Sequence, residues 1–281
     1  MKLKRIILSW GSLFLLSSSY AQPNCFIITD SACARACLVF VASDSFYQGS
    51  PKCQYYLDSA IWLCPSFADA WHEKSVPYLK RGDFVTWRKY MDEAVRLNPA
   101  RYLSVRGWCR FKFLQDYEGA LDDLKRNDTL SRFAHQYSGD GNYELHILMA
   151  LCERGLGNFT AAFHYFHEGI DSVVARNGPR SAGLFSYLHL GVTLLQTGDY
   201  DGALVALESE NKQYARFAET YYYMGMAHLR RGHKAAALEN FRRALELYTD
   251  KTGTYRLNDP YCEMPDAIYV SDILSAISQA E

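Results

Sequence analysis

The chain has 281 residues, of which 49% are hydrophobic and 22% charged. This composition is typical of a globular protein with a sizeable core, and it excludes disordered, collagen-like and low-complexity chains. The formal net charge is -1, and no block of basic residues occurs in the body of the chain, so we expect no nucleic-acid partner.

The N-terminal residues have the pattern of a secretory signal peptide. Three of the first five residues are basic, an apolar run extends from Ile6 to Leu16, and small residues stand at Ser19 and Ala21. The apolar run is too short to span a bilayer, which takes about 20 residues. We therefore expect residues 1–21 to be the signal peptide of an exported protein, periplasmic or secreted, without a transmembrane span. An uncleaved membrane anchor is the alternative.

A short pattern recurs along the rest of the chain. It consists of Gly or Gln, a second polar residue and usually an aromatic residue, and its copies are Gly82-Asp83-Phe84, Gln115-Asp116-Tyr117, Gly157-Asn158-Phe159, Gly198-Asp199-Tyr200 and Gly232-His233-Lys234. Four copies are followed by a small residue three positions later, at Ala120, Ala162, Ala203 and Ala237. The pattern resembles the tetratricopeptide repeat, a helix-turn-helix unit of about 34 residues.

The resemblance implies an all-α fold, an α-solenoid of about six tetratricopeptide-like units. The units would start near residues 34, 68, 101, 143, 184 and 218 and span residues 34–247, after an N-terminal segment at residues 22–33. A loop (residues 248–265) and a C-terminal capping helix (residues 266–281) would follow, with Asp266 at the N-cap. The capping helix is expected because each hairpin leaves an apolar face open at the end of the stack.

Two tryptophans depart from the repeat pattern. Trp87 stands where a small residue is expected in the second helix of a unit, and Trp108 where one is expected in a first helix. Small residues at these places let two close-packed helices cross. We therefore expect the helices of the second and third units to spread or to shift register.

Five of the eight cysteines fall before residue 65. Export would place them in an oxidising compartment, where disulfides form. In the first predicted hairpin the end of the second helix returns beside the start of the first, which favours a disulfide between Cys33 and Cys64, with Cys25 as a competing partner. No two cysteines have the Cys-x-x-Cys spacing of a zinc site, so we expect no metal.

No motif indicates catalysis. His164 and His167 share one predicted helix, where structural or solvated roles are typical of histidines. Cys109 and Cys152 have no visible activating arrangement, and half-buried thiols are usually inert. We therefore expect no enzymatic activity and no cofactor.

Tetratricopeptide proteins bind partners in the concave groove formed by their first helices, and the resemblance implies the same here. The positions that would face this groove carry mainly apolar and aromatic side chains. The predicted groove residues are Val76, Leu79, Val105, Ile147, Leu151, Phe185, Leu188, Val192, Leu195, Tyr222 and Met226. This composition favours a protein or peptide partner, with Ile147, Leu188, Tyr222 and Met226 as central anchors.

We therefore expect a non-catalytic interaction scaffold or adaptor in the cell envelope. Residues 74–84 and 102–116 also resemble one group of exported bacterial repeat proteins without an established activity. The alternative is an accessory or carrier protein for an envelope glycan or another polymer, since the chain has 21 tyrosines on which sugar rings can stack. A sugar site would need exposed Tyr or Trp beside carboxylates.

Overall fold

The computed structural model describes residues 23–131, 137–250 and 262–281, so the predicted signal peptide lies outside the described residues. Within these ranges the chain forms thirteen α-helices: α1 Ser31–Ser43, α2 Pro51–Leu63, α3 Ala68–Lys80, α4 Phe84–Leu97, α5 Pro99–Cys109, α6 Tyr117–Ser131, α7 Leu145–Gly155, α8 Phe159–Asn177, α9 Ser186–Gln196, α10 Tyr200–Gln213, α11 Ala218–Arg230, α12 Lys234–Thr249 and α13 Val270–Ala280. The β structure of the described residues is one isolated bridge, between Tyr137 and Glu144. The predicted all-α helical-repeat fold is confirmed. No helix in the described ranges is both long and apolar enough to cross a membrane.

The chain divides into two compact units, residues 1–70 and 71–281. The described part of the first unit contains the hairpin of α1 and α2. Helix α1 begins where the Asp30 carboxylate accepts a hydrogen bond from the backbone N–H of Cys33, at 2.8 Å. Ala36 and Ala60 are fully buried in this hairpin, and their small side chains allow the close approach of its two helices.

Two disulfides tie the first unit together. Cys33, near the start of α1, is bonded to Cys64, which directly follows α2, and their Cα atoms are 4.9 Å apart. This is the pair that the sequence favoured. Cys25, the competing candidate, is bonded to Cys37 instead. The N-terminal segment is thereby joined to α1, a link that sequence reasoning missed.

In the second unit consecutive helices pack as pairs. Helix α5 packs with α6, α7 with α8, α9 with α10 and α11 with α12, and each pair contacts the next. The recurring sequence pattern forms the turns within pairs. Gly198 has a left-handed φ of 86°, which ends α9, and the Asp199 carboxylate accepts a hydrogen bond from the N–H of Gly202 at 2.9 Å, which starts α10.

The third repeat is shifted by one residue from the predicted register. A Cβ atom added to Gly107 would lie 3.1 Å from Cγ of Leu124, so Gly107, and not Trp108, stands where α5 crosses α6. Trp108 is buried against the ring of Tyr143 instead, with ring centroids 5.8 Å apart. A π-helical turn at Arg110–Leu114 accommodates the extra residue before α6, since a π turn holds more residues than an α turn.

Trp87 is accommodated without such a shift. Its side chain is 2% exposed on α4, while the fully buried Ser75 on α3 supplies a small residue at the facing position. Ser75 Oγ lies 4.0 Å from Sδ of Met91, so the two helices remain in contact beside the indole ring.

The C-terminal helix begins later than predicted. Helix α13 starts at Val270, and its first turn is stabilised by the Asp272 carboxylate, which accepts a hydrogen bond from the N–H of Tyr269 at 2.7 Å. Ile273 and Ala276 pack against the last helix pair. The expected N-cap role of Asp266 was wrong, because its carboxylate is held by side chains of α7 and α9 in the site described next.

Candidate functional site

The predicted groove residues do not form an open strip. Six of them are buried, with exposed fractions of 7% or less: Leu79, Ile147, Leu151, Phe185, Leu188 and Val192. The other five are half-buried: Val76, Val105, Leu195, Tyr222 and Met226. Two of the expected anchors, Ile147 at 1% and Leu188 at 0% exposure, are part of the packed interior, so a partner cannot use them as contacts.

A cleft of about 490 Å³ remains on the inner face of the second unit. We call it the inner cleft, and its helical wall is formed by Phe111, Lys112, Leu151, Arg154, Val192, Leu195, Gln196 and Tyr223. Leu151 and Arg154 are one turn apart on α7, and Val192 and Leu195 are one turn apart on α9, so each helix presents two side chains to the same side.

The opposite wall of the inner cleft belongs to the chain itself. It is formed by residues 263–267, which we call the C-terminal segment and which precede α13. Met264 is 7% exposed, so this segment buries an apolar side chain as it passes the helices. Part of the surface that the sequence assigned to a partner is therefore already covered.

One carboxylate of the C-terminal segment is held by a buried pair of donors. Oδ2 of Asp266 lies 2.9 Å from Nη1 of Arg154 and 2.5 Å from Nδ1 of His189. The side chains are 6%, 10% and 0% exposed for Asp266, Arg154 and His189, respectively, so water screens these charges little. Arg154 also lies 3.4 Å from Oγ1 of Thr193.

The protonation states follow from these contacts. Burial opposes ionisation of Asp266, but the charge of Arg154 and the hydrogen bond from His189 outweigh it and lower the pKa of the carboxyl. Burial lowers the pKa of His189, and Asp266 offsets this only in part. At neutral pH the site therefore contains an ionised Asp266, a charged Arg154 and a neutral imidazole whose Nδ1–H donates to the carboxylate.

A buried His–Asp pair is also found in hydrolases, but His189 lacks access to a substrate. Its ring is fully buried between the rings of Tyr143 and Phe185, with centroids at 5.5 and 6.4 Å. Nε2 has no hydrogen-bond partner among the described residues. A general base must lie within hydrogen-bonding reach of its substrate, and the buried His189 is not placed to act as one. Its role in this site is to donate a hydrogen bond to the Asp266 carboxylate.

The other candidate catalytic residues are no better placed. Burial raises the pKa of Cys109 to about 12 and also raises that of Cys152, so both remain thiols at neutral pH. His164 is 74% exposed, and its Nε2 lies 3.7 Å from the Glu168 carboxylate. Among the described residues, no group of three or more His, Cys, Asp and Glu side chains is arranged to hold a metal ion.

Sequence reasoning missed the carboxylate site. Arg154 occupies an inner position of its repeat, where a charged side chain stands out in an apolar strip, but His189 lies in the buried interior and not at a predicted groove position. Their ligand Asp266, however, is 112 positions from Arg154 in the chain and has no repeat signature of its own.

The paired helices define a tandem-repeat protein built of helical hairpins. Residues 218–251, which begin with α11 and include all of α12, match the profile of the tetratricopeptide repeat family. The chain therefore contains a tetratricopeptide repeat at residues 218–251. No curated protein matches it by sequence.

Several solved structures have a similar fold. PilW, described as a widely conserved type IV pilus biogenesis factor, is 13% identical, with a TM-score of 0.60 over 77% of this chain and 96% of its own. Pseudomonas aeruginosa PilF is 15% identical, with a TM-score of 0.58 over 78% and 94%. A tetratricopeptide protein from Parabacteroides merdae is 15% identical, with a TM-score of 0.51 over 87% and 84%. At these identities the likeness shows the fold alone.

Proposed function

We propose that the protein is a non-catalytic protein–protein interaction scaffold or adaptor of the cell envelope, which binds a segment of a partner protein in the inner cleft. The observation that carries the proposal is the C-terminal segment itself. A stretch of non-helical polypeptide is held there by an ion pair and by apolar contacts, so the cleft has the shape and chemistry to bind such a segment.

The accessible part of the inner cleft suits an apolar anchor beside polar groups. Leu195 is half-buried at the wall, and Gln196 next to it is exposed. Large side chains that fill a partly enclosed site contribute most of the binding energy in protein interfaces. Leu195 therefore replaces the buried Leu188 as the residue through which binding is best tested.

The envelope location is argued from the N-terminal sequence and from the disulfides. A predicted signal peptide precedes two disulfide bonds, and disulfides form in exported proteins. PilW, which has a similar fold, is a pilus biogenesis factor, and a role in the envelope agrees with this.

Site-specific photo-crosslinking in intact cells tests the proposal. A photo-reactive amino acid replaces Gln196 at the inner cleft and, as the matched control, the exposed Lys212 on α10. We expect a defined protein adduct from position 196 and none from position 212. Leu195→Glu should reduce the adduct from position 196 about tenfold or more, because it places a carboxylate in an apolar contact. Equal adducts at both positions, or none at position 196, would contradict the proposal.

A second candidate function is binding of an envelope glycan, and one surface of the first unit favours it. Tyr55 and Trp62 on α2 are 69% and 81% exposed and lie beside Asp58 in a shallow pocket of about 460 Å³. Exposed aromatic rings next to a carboxylate are typical of sugar-binding surfaces, where the ring faces stack on sugars.

Cosedimentation with purified peptidoglycan tests the glycan candidate. Trp62→Ala should abolish sedimentation, whereas Tyr47→Ala should not, since Tyr47 is 89% exposed but does not line this pocket. Wild-type protein that stays in the supernatant would exclude peptidoglycan as the ligand.

A further inference from the structure

The C-terminal segment occupies the inner cleft with complementary charge. Glu263 and Asp266 on the segment face a wall that contains Lys112 and Arg154. Of these four side chains, Asp266 and Arg154 form an ion pair at 2.9 Å. A ligand of this cleft is therefore selected by its negative charge as well as by its apolar groups.

The site at Arg154 and His189 requires a carboxylate. Without Asp266 the guanidinium, which is 10% exposed, would lose its buried counterion, and the fully buried imidazole would lose the acceptor of its Nδ1–H. Leaving a buried charge unpaired is strongly unfavourable. Whatever displaces Asp266 must therefore bring its own carboxylate to the same two donors.

The C-terminal segment itself is held at few points. Of residues 263–267, only Met264 is buried as a whole residue, Glu263 is exposed, and the others are half-buried. Asp266 adopts a left-handed φ of 63°, a conformation that a residue other than glycine seldom takes. The buried contacts within residues 263–267 are thus the carboxylate site and one apolar side chain. The next residue, Ile268, is 1% exposed and packs with Leu247 and Ile273, so it anchors the segment at its C-terminal side. Displacement of Asp266 therefore concerns residues 263–267, while Ile268 and α13 stay packed.

We propose that the C-terminal segment is an internal ligand of the inner cleft, and that a partner docks by placing an Asp or Glu side chain on Arg154 and His189 in place of Asp266. This inference rests on the proposed function, since it names the partner's chemistry and the competition that regulates binding at the same cleft.

The competition has a quantitative consequence. A tethered ligand acts at an effective concentration on the order of millimolar. A separate peptide of the same sequence therefore competes poorly with the wild-type segment. Removing the charge of Asp266 should release the segment and leave the cleft open to an acidic peptide.

The experiment uses a fluorescein-labelled peptide with the sequence of residues 263–269, Glu-Met-Pro-Asp-Ala-Ile-Tyr, and the full mature chain. Fluorescence anisotropy compares the wild type, Asp266→Asn, the double variant Asp266→Asn with Arg154→Gln, and the control Asp250→Asn. Asp250 also pairs with an arginine, Arg216, at 2.7 Å, but outside the inner cleft.

We expect Asp266→Asn to bind the peptide about tenfold or more tightly than the wild type or Asp250→Asn does, because only this variant lacks the tethered competitor. The double variant should lose this gain, and a peptide with Asn in place of Asp should not bind. Hydrogen exchange of residues 263–267 should rise in Asp266→Asn and remain unchanged in Asp250→Asn.

Two results would overturn the inference. If neither exchange nor peptide binding changes in Asp266→Asn, the segment is a fixed part of the fold. If exchange rises but the acidic peptide does not bind, the cleft does not select a carboxylate. The photo-crosslinking experiment separates this inference from the proposed function. If the inference fails but position 196 still gives a specific protein adduct, the proposed scaffold function stands. If the peptide binds but position 196 gives no adduct, only the proposed scaffold function is rejected.

Discussion

Glu210 of α10 caps the start of α9, a helix to which it does not belong: its Oε1 accepts a hydrogen bond from the backbone N–H of Phe185 at 3.1 Å. Oε2 accepts two more, from Tyr187 at 3.0 Å and Leu188 at 3.2 Å. The first N–H groups of a helix have no partner within it, so this carboxylate satisfies donors that would otherwise be buried without one. It also fixes the helix that carries His189.

The first prediction concerns this cap. Glu210→Gln should lower the free energy of unfolding by about 1 to 3 kcal/mol, because the amide has one acceptor oxygen and turns an NH₂ group toward buried N–H donors. Urea denaturation measures the change. Glu208→Gln, an exposed position on the same helix, is the control, and equal midpoints for the two variants would contradict the capping role.

The second prediction is the pH dependence of the same residue. Burial raises the pKa of Glu210 from 4.5 to about 7, against the three backbone hydrogen bonds. Between pH 4.5 and about 7 the folded state therefore binds more protons than the unfolded state. The contribution of Glu210 to stability is then largest at low pH and is lost as the pH rises through about 7. The difference in unfolding free energy between wild type and Glu210→Gln should therefore shrink from pH 5 to pH 8. A difference that grows over this range would mean that the folded pKa lies below the unfolded value.

The third prediction concerns a buried ion pair between α5 and α6. Asp123 is fully buried, and its two oxygens lie 2.6 and 2.8 Å from Nη2 and Nε of Arg106. Asp123→Asn should cost about 3 to 5 kcal/mol, since it leaves the charge of Arg106 with one partner fewer in the interior. The neighbouring Asp122 is 67% exposed, and Asp122→Asn should change the thermal midpoint little. Similar losses for both variants would contradict the assignment.

The repeat fold could be predicted because its signals are local. Gly198 and Asp199 encode a turn and a helix start in adjacent residues, and the same pattern recurs at a nearly constant interval. The one-residue shift of α5 was one of two alternatives, the other being that the helices spread apart. Gly107 and Trp108 are adjacent, so either could stand where α5 crosses α6. The π turn that decides between them has no sequence signature.

The candidate site was predictable only in part. The repeat register placed Leu151 and Leu195 on the inner face, where the structure has them in the inner cleft. It did not show that Leu188 and Ile147 are covered, because burial depends on how neighbouring hairpins pack. Nor did it show Asp266 at Arg154, since a contact between residues so distant in the chain is set by the path of the backbone.

The fourth prediction concerns the disulfide between Cys33 and Cys64. The bond closes a loop with a sequence separation of 31, and in the chain-entropy model such a loop stabilises by about 3 to 4 kcal/mol. The double variant Cys33→Ser/Cys64→Ser should therefore unfold the first unit at lower temperature. Peptide mapping of the non-reduced wild type should recover both this pair and Cys25–Cys37. A melting curve of the wild type that is insensitive to reductant would contradict a stabilising role.

The last prediction tests the register of α5. Ala is a better helix former than Gly by about 1 kcal/mol, so Gly107→Ala would stabilise the helix if Trp108 stood at the crossing. In the structure a Cβ at Gly107 would lie 3.1 Å from Cγ of Leu124 and 3.2 Å from the backbone oxygen of Ala120. Overpacking usually costs about 1 to 3 kcal/mol, which exceeds the helix-propensity gain, so the variant should destabilise by up to about 2 kcal/mol net. Gly191→Ala, at the equivalent crossing of α9 with α10, where the nearest atom would be Cγ of Leu207 at 2.7 Å, should change stability in the same direction. Denaturation curves in which Gly107→Ala gains stability while Gly191→Ala loses it would show that α5 keeps the unshifted register.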